Sequence, residues 1–228
     1  MSAKAIQGPA GQALLRLEHP WLFRLGQWTR RVRTEVLVVG VAIGVIEGIV
    51  ERERPLDLFE WEWRLLLAGV LLAAGCVLRI AAIGCIRKND ELETRGVYSI
   101  CRHPLYLGTI LAYAAFCVLL DDAEFYWFGA AYFALFYTPT ILWEEASLRR
   151  QYGEDFAAYA RHTPALLPLG RFVPGRFAWS VAKRRGAVAM LVGVALSLIS
   201  VQAMARLFRP GVWGGNDPPD SAIGRVDR

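Results

Sequence analysis

Five apolar stretches, at residues 35–50, 65–86, 104–120, 125–143 and 187–208, constrain this chain more than any other feature in it. Each comes near the ~20 residues that a helix needs to cross a bilayer, the first being the shortest. With 55% of the 228 residues hydrophobic, a soluble globule would need more buried surface than a domain of this length offers. The expected fold class is therefore all-α: a polytopic membrane protein of about five transmembrane helices, with interfacial amphipathic helices beside them.

Charge orients these spans. Lys and Arg favour residues 1–34, 87–103 and 144–186 over the intervening loops 51–64 and 121–124 by eighteen to three, and the four arginines from Arg206 onward do not reverse the bias. The positive-inside rule then puts the N-terminus and the basic loops in the cytoplasm and the C-terminus outside. The net charge of +5 is accounted for by loops facing anionic membrane lipid, and it calls for no nucleic acid. Residues 1–12 lack the apolar core of a cleavable signal, so the first span is expected to serve as the anchor. Cys76, Cys85, Cys101 and Cys117 form no C-x-x-C pair and lie within or beside spans; they read as small apolar residues, with no metal site among them.

The chain divides into a cytoplasmic N-terminal segment (1–34), a five-helix membrane domain (35–208) and a Gly-, Pro- and Asp-rich tail (209–228) expected to be disordered. Between residues 13 and 33, Leu14, Leu17, Trp21, Leu22, Leu25 and Trp28 recur at helical spacing among arginines, the pattern of an interfacial helix. Gly40, Gly44 and Gly48 line one face of the first span and permit close approach of another helix, within the chain or in a homodimer. Residues 144–162 continue as an amphipathic helix with Leu148, Tyr152, Phe156 and Tyr159 on one stripe. A proline-broken stretch comes next at 163–175, then a basic, aromatic stretch at 176–185 that suits the membrane surface.

The short turn 121–124 makes the third and fourth spans antiparallel neighbours, so the polar clusters flanking them meet at one membrane face. Pro104 suits a first helical turn, which places Arg102 and His103 at a helix N-terminus, a natural seat for a carboxylate or phosphate. Glu144 and Glu145 supply the opposite charge, suited to an ammonium or sulfonium ion. Tyr98, Tyr106, Tyr152 and Tyr159 offer faces to a base or a cation. A zwitterionic, adenine-bearing sulfonium cofactor would use all three features. Read singly, Arg102 is an ordinary positive-inside anchor, the glutamates a solvated helix start and the tyrosines an interfacial belt; their convergence is what makes a site. Arg79, inside the second span, either snorkels to the interface or faces the bundle to meet Glu144, Glu145 or an anionic substrate group.

The motif Gly96-Val-Tyr-Ser-Ile-Cys-Arg-His-Pro-Leu-Tyr-Leu-Gly108 is followed by Glu144-Glu145-x-x-Leu148-x-x-x-Tyr152-Gly153-x-x-Phe156-x-x-Tyr159-x-x-x-x-Pro164-x-x-x-Pro168. Together they resemble the isoprenylcysteine carboxyl methyltransferase and phospholipid methyltransferase superfamily of integral membrane enzymes, over residues 79–168. The resemblance implies S-adenosylmethionine as cofactor, held at the cytoplasmic face by 96–108 and 144–168: Arg102, His103, Pro104, Tyr106, Gly108, Glu144 and Glu145 from the motifs, with Tyr98 and Tyr159 beside them. It implies a lipophilic acceptor, such as a prenylcysteine-like carboxylate or a phospholipid amine, entering sideways from the bilayer. Arg102 and His103, with Arg161 or His162 as the basic residue near the end of the second motif, are the catalytic candidates. Arg79 and Tyr152 are the substrate-side candidates, and no metal is called for. Two other classes stay open at this point: a membrane sterol or steroid reductase using a nicotinamide cofactor, and a non-enzymatic transporter or scaffold.

Overall fold

The computed structural model describes residues 20–51, 55–58, 62–85 and 92–208. The expected tail, and the part of the expected interfacial helix before residue 20, lie outside the described residues. All regular structure among the described residues is helical, with a single isolated antiparallel bridge between Gly96 and Val173. Two helices are long and apolar enough to cross a membrane, α2 (Trp63–Cys85) and α8 (Ala187–Leu207), and α3 (Pro104–Leu120) is a shorter apolar helix.

The first element corrects the expectation from sequence. Instead of an interfacial helix succeeded by a separate span, α1 runs unbroken over Pro20–Glu51, because the change from a mixed to an apolar surface at residue 35 brings no helix breaker with it. It packs on the fourth apolar stretch through small residues: a Cβ on Gly26 would collide with the Trp143 ring, and one on Gly40 would collide with Phe128. The Thr29 and Thr140 hydroxyls meet at 3.1 Å between these contacts. Gly40 thus serves packing within the chain, while the surroundings of Gly44 and Gly48 lie outside the described residues.

Helices α2 and α3 lie against each other along most of their length. Glycine permits this, since a Cβ on Gly75 would sit 2.7 Å from the Gly108 carbonyl oxygen and 2.9 Å from the Ala112 nitrogen. Helix α3 begins on Pro104 and ends where Asp121 adopts φ 55°, its N–H returning to Cys117 O. Asp122 then caps α4 (Ala123–Tyr132) by accepting the Glu124 N–H at 2.7 Å. The turn is as short as expected, and it folds α4 back beside α3.

A π turn over Phe133–Tyr137 joins α4 to α5 (Thr138–Tyr152). Pro139 lies in the first turn of α5; it has no N–H and would crowd the carbonyl one turn back, so a widened turn just before it relieves both problems. The amphipathic continuation is split, contrary to the expected single helix. Gly153 takes φ 53° and separates α5 from α6 (Glu154–His162), a conformation that costs glycine little. After the irregular stretch 163–178, the short α7 (Trp179–Arg184) leads into α8.

The end of the bundle away from the polar motifs is tied as well. Leu56 N–H donates to Leu119 O, Leu58 N–H to Gln202 Oε1, and the Gln202 amide to Asp57, each at 2.8 Å.

Candidate active site

The antiparallel α3–α4 turn carries α5 back along α3, so Arg102 and His103 at the start of α3 meet Glu144 and Glu145. Tyr106, one turn into α3, donates its hydroxyl to Glu144 Oε1 at 2.6 Å and stacks its ring on His103, 5.6 Å between centroids. His103 Nε2 lies 3.2 Å from Glu145 Oε1, and Nδ1 lies 3.7 Å from Glu144 Oε2. Arg102 closes the chain, Nε and Nη2 reaching Glu145 Oε1 at 2.8 and 2.6 Å. His103 and Glu144 are buried, while Arg102 and Glu145 keep slight exposure.

The expected roles of these charges change accordingly. Arg102 is turned inward: besides Glu145, its Nη1 donates to Ala160 O at 3.1 Å and to Thr163 O. It thereby caps the C-terminal carbonyls of α6, where a cation is favoured. The N–H groups before α3, expected to be open to an anion, are taken by the chain itself, Arg102 N–H donating to Pro164 O and His103 N–H to Ala165 O, both at 2.9 Å. The first motif is therefore clasped from behind, and both bonding partners of Glu145 crowd onto Oε1, which leaves its second oxygen without a partner among the described residues.

Burial pushes the Glu145 carboxyl up, but hydrogen bonds from His103 and Arg102, and the charge of both, outweigh it and hold the group below its ordinary value of 4.5. A carboxyl lowered in the folded state stabilises fully above its unfolded value and loses that contribution as pH falls through the lowered one. Melting temperatures measured from about pH 6 down to about pH 3 should therefore fall in the wild type, with a shallower slope in Glu145→Gln.

The clasp continues as a strap of chain, 163–178, running antiparallel to the first motif. Gly170 N–H donates to Ile100 O at 2.9 Å, Gly96 N–H to Val173 O at 2.8 Å and Ala178 N–H to Gly84 O at 3.1 Å. Ser99, to which the sequence assigned no role, pins it further by donating to Gly96 O at 2.7 Å and accepting Val173 N–H at 2.8 Å. A hydroxyl three residues after a glycine was the trace of this pin in the sequence. Gly170 and Gly175 are required where the backbones cross, since an added Cβ would collide with Ser99 O at the first and stand 2.5 Å from Gly96 N at the second. The proline-broken stretch is thus a cover over residues 96–103.

Tyr159 donates to Tyr98 O at 2.6 Å and so fixes the backbone of the 3-10 turn Val97–Ser99. The Tyr98 side chain packs among Ala82, Cys85, Val97 and Leu105, and its buried hydroxyl has no hydrogen-bond partner among the described residues. Burial pushes this hydroxyl well above the ordinary tyrosine value, Tyr159 and Glu144 adding to the effect, so it stays a neutral donor. Cys101 beside it is fully buried, and burial pushes its thiol up to about 11; it is an inert packing group.

The other candidates lie apart from this cluster. Gly108 serves the α2–α3 seam. Arg79 does not meet the glutamates: Nε lies 3.2 Å from Met190 Sδ, and Nη1 reaches Leu105 O at 3.5 Å and the Thr109 hydroxyl. Arg161 and His162, in the last turn of α6, are exposed, and the carbonyls on either side of them, of Ala160 and Thr163, accept from Arg102. Tyr152 accepts a hydrogen bond from Gln151 at 3.0 Å at the end of α5.

A family model described as phospholipid methyltransferase matches from the start of α2 through the first motif and into the second, to the start of α6. Residues 63–155 match the phospholipid methyltransferase family. That family falls within the isoprenylcysteine carboxyl methyltransferase-like superfamily, and the match supports a membrane methyltransferase. The chain is 37% identical over 106 residues to the cobalt-zinc-cadmium resistance protein CzcN of Cupriavidus metallidurans, which covers 46% of this chain and 47% of that protein. It is 30% identical over 153 residues to the nickel-cobalt-cadmium resistance protein NccN of Alcaligenes xylosoxydans xylosoxydans, covering 64% of each. The match thus spans about half of the first relative and under two thirds of the second. No solved structure matches the chain.

Proposed function

We propose that this protein is an S-adenosylmethionine-dependent methyltransferase with about five transmembrane helices, acting on a lipophilic acceptor at the cytoplasmic face. The observation that carries the reading is the joining of the two family motifs through Arg102, Glu145, His103, Glu144 and Tyr106, beside a buried Tyr98 hydroxyl that has no partner among the described residues. An orphaned buried hydroxyl costs about 1–3 kcal/mol, a cost that a ligand would relieve. Tyr98 and the second oxygen of Glu145 would hold the cofactor, with the carboxylates of Glu144 and Glu145 facing positive charge.

When bound, S-adenosylmethionine supplies a methyl group activated by its sulfonium for in-line displacement. The protein's part is positional. The Arg102–Glu145 pair fixes α3 against α5 and α6, His103 keeps Glu144 and Glu145 aligned, and the strap keeps water from one side. A carboxylate or thiolate acceptor needs no base. An amine acceptor must first lose a proton, and His103 sits beside two carboxylates able to stabilise it once protonated. Exposed faces of α2 at Leu66, Leu67, Val70 and Val77 suit contact with lipid, from which the acceptor would arrive. The metal-resistance names of the two relatives name no acceptor. Among the described residues no three His, Cys, Asp or Glu side chains form a group able to hold a metal ion.

Incubating the purified protein with methyl-labelled S-adenosylmethionine and a total membrane lipid extract is expected to yield a labelled lipid identifiable by mass; no labelled product from any lipid class would sink the proposal. Tyr98→Phe should weaken binding of S-adenosylhomocysteine roughly three- to tenfold, the worth of one neutral hydrogen bond. The same variant should melt no lower than the wild type, because the hydroxyl it removes makes no bond without ligand. Calorimetry showing unchanged affinity would return Tyr98 to a packing role.

A further inference from the structure

The strap that clasps the first motif has an outer surface of distinct composition. Residues 165–185 contain Arg171, Arg176, Lys183, Arg184 and Arg185 and no acidic residue. Among the basic side chains, Leu167, Leu169, Phe172, Phe177 and Trp179 are exposed. Lys183 Nζ lies 5.8 Å from the centre of the Trp179 ring, a cation over an aromatic face of the kind enriched where chain meets headgroups. Helix α8, one of the two helices apolar and long enough to cross a membrane, starts at Ala187, two residues after Arg185. The strap and α7 therefore present apolar side chains and positive charge without an ion pair among the described residues, next to a helix long and apolar enough to cross a membrane.

Its inner side is bonded through main-chain groups, with Thr163 buried, Leu166 packed on the Tyr106–Tyr137 cluster and the Phe177 ring over Gly84. The bonds from Arg102, His103, Gly170, Gly96 and Val173 hold it to residues 96–103, so force applied to the strap reaches the first motif directly. Leu167, Leu169, Arg171, Phe172, Arg176 and Lys183 are exposed, and positive charge with interleaved apolar and aromatic side chains selects an anionic bilayer surface.

We propose that the strap docks on anionic phospholipid headgroups of the leaflet that α8 enters, and that this docking holds the cover closed over residues 96–103. As regulation of the site it rests on the methyltransferase reading, but docking itself is measurable without cofactor or acceptor. The full-length protein would be placed in nanodiscs of phosphatidylcholine alone, or with about 30% phosphatidylglycerol, and amide hydrogen exchange measured in peptides covering 96–103 and 164–173. Exchange there is expected to slow about tenfold or more in the anionic discs, given that each basic residue at such a surface contributes roughly fivefold in affinity. The Leu56 amide, bonded at the far end of the bundle, should be unaffected.

In the triple variant Arg171→Gln, Arg176→Gln, Lys183→Gln, the difference between the two discs should shrink to under about twofold, while exchange in neutral discs stays that of the wild type. Equal exchange of the wild type in both discs would overturn the proposal. So would faster exchange of the variant already in neutral discs, which would assign the arginines to packing. Equal protection by soluble glycerol phosphate in neutral discs would overturn it too, showing an anion site that needs no bilayer. Methyl transfer assayed in the same discs judges the enzymatic reading separately: labelled product with unchanged exchange removes only the docking.

Discussion

Arg102→Ala is expected to destabilise the protein by about 3–5 kcal/mol, the range for removing one partner of a buried ion pair. The side chains of Arg102 and Glu145 are only 14% and 17% exposed, so the carboxylate left behind has little water to turn to. The loss extends beyond the pair, because the same guanidinium holds the carbonyls of Ala160 and Thr163 and thus the start of the strap. Glu145→Gln should cost less, since the amide oxygen still accepts from Arg102. The double variant Arg102→Ala, Glu145→Gln should recover part of the loss by removing the stranded charge. Reversible unfolding in detergent, read by circular dichroism, measures all three; a cost under about 1 kcal/mol for Arg102→Ala would mean that the pair behaves as a solvated surface bridge.

The second large effect is steric. Gly75→Val places methyl groups where the Cβ alone would already stand 2.7 Å from the Gly108 carbonyl oxygen and 2.9 Å from the Ala112 nitrogen. Both obstacles are backbone, so no side-chain rotation relieves them, and α2 must move off α3. Overpacking of this kind costs about 1–3 kcal/mol or more. Here it would also separate Ala82 and Cys85 from Tyr98 and Leu105, loosening the turn ahead of Arg102. By contrast Gly69→Val, on the same helix with nothing within 4 Å of the added Cβ, should be neutral. Equal melting temperatures for Gly75→Val and Gly69→Val would show that the seam is not closely packed.

These expectations mark what the sequence reveals and what it conceals. Apolar stretches 65–86 and 187–208 became α2 and α8 almost residue for residue, because a continuous apolar run bounded by charge has few alternatives. Pro104 and the short turn 121–124 placed the start of α3 and the tight return into α4 for equally local reasons. The convergence of Arg102 and His103 with Glu144 and Glu145 came from that return. What each charge does with its neighbours was not legible. Reading the motifs separately assigns each an external partner, whereas the fold lets Arg102 and Glu145 satisfy one another across 43 residues. The strap was hidden for another reason: it is held through its own main-chain groups, bonded to Ile100, Gly96, Gly84 and the Ser99 hydroxyl, and such pairing leaves only Ser99, Gly170 and Gly175 as its mark in the sequence. The unbroken α1 and the break at Gly153 show the same limit, since a change of surface character is no helix end and a glycine is no certain one.

The π turn at Phe133–Tyr137 bears on how this chain is to be aligned with its relatives. A π turn holds one residue more than a regular helix would use, and absorbs it locally without altering the phase of the helix beyond it. Elsewhere between α4 and Glu145, one residue added or removed would turn the carboxylates about 100° around the helix axis, away from Arg102 and His103. A relative whose helix is regular here presents the same two glutamates in the same place with one residue fewer. The gap in such an alignment belongs among residues 133–137, ahead of Pro139, even where matching side chains would score better if it were opened elsewhere.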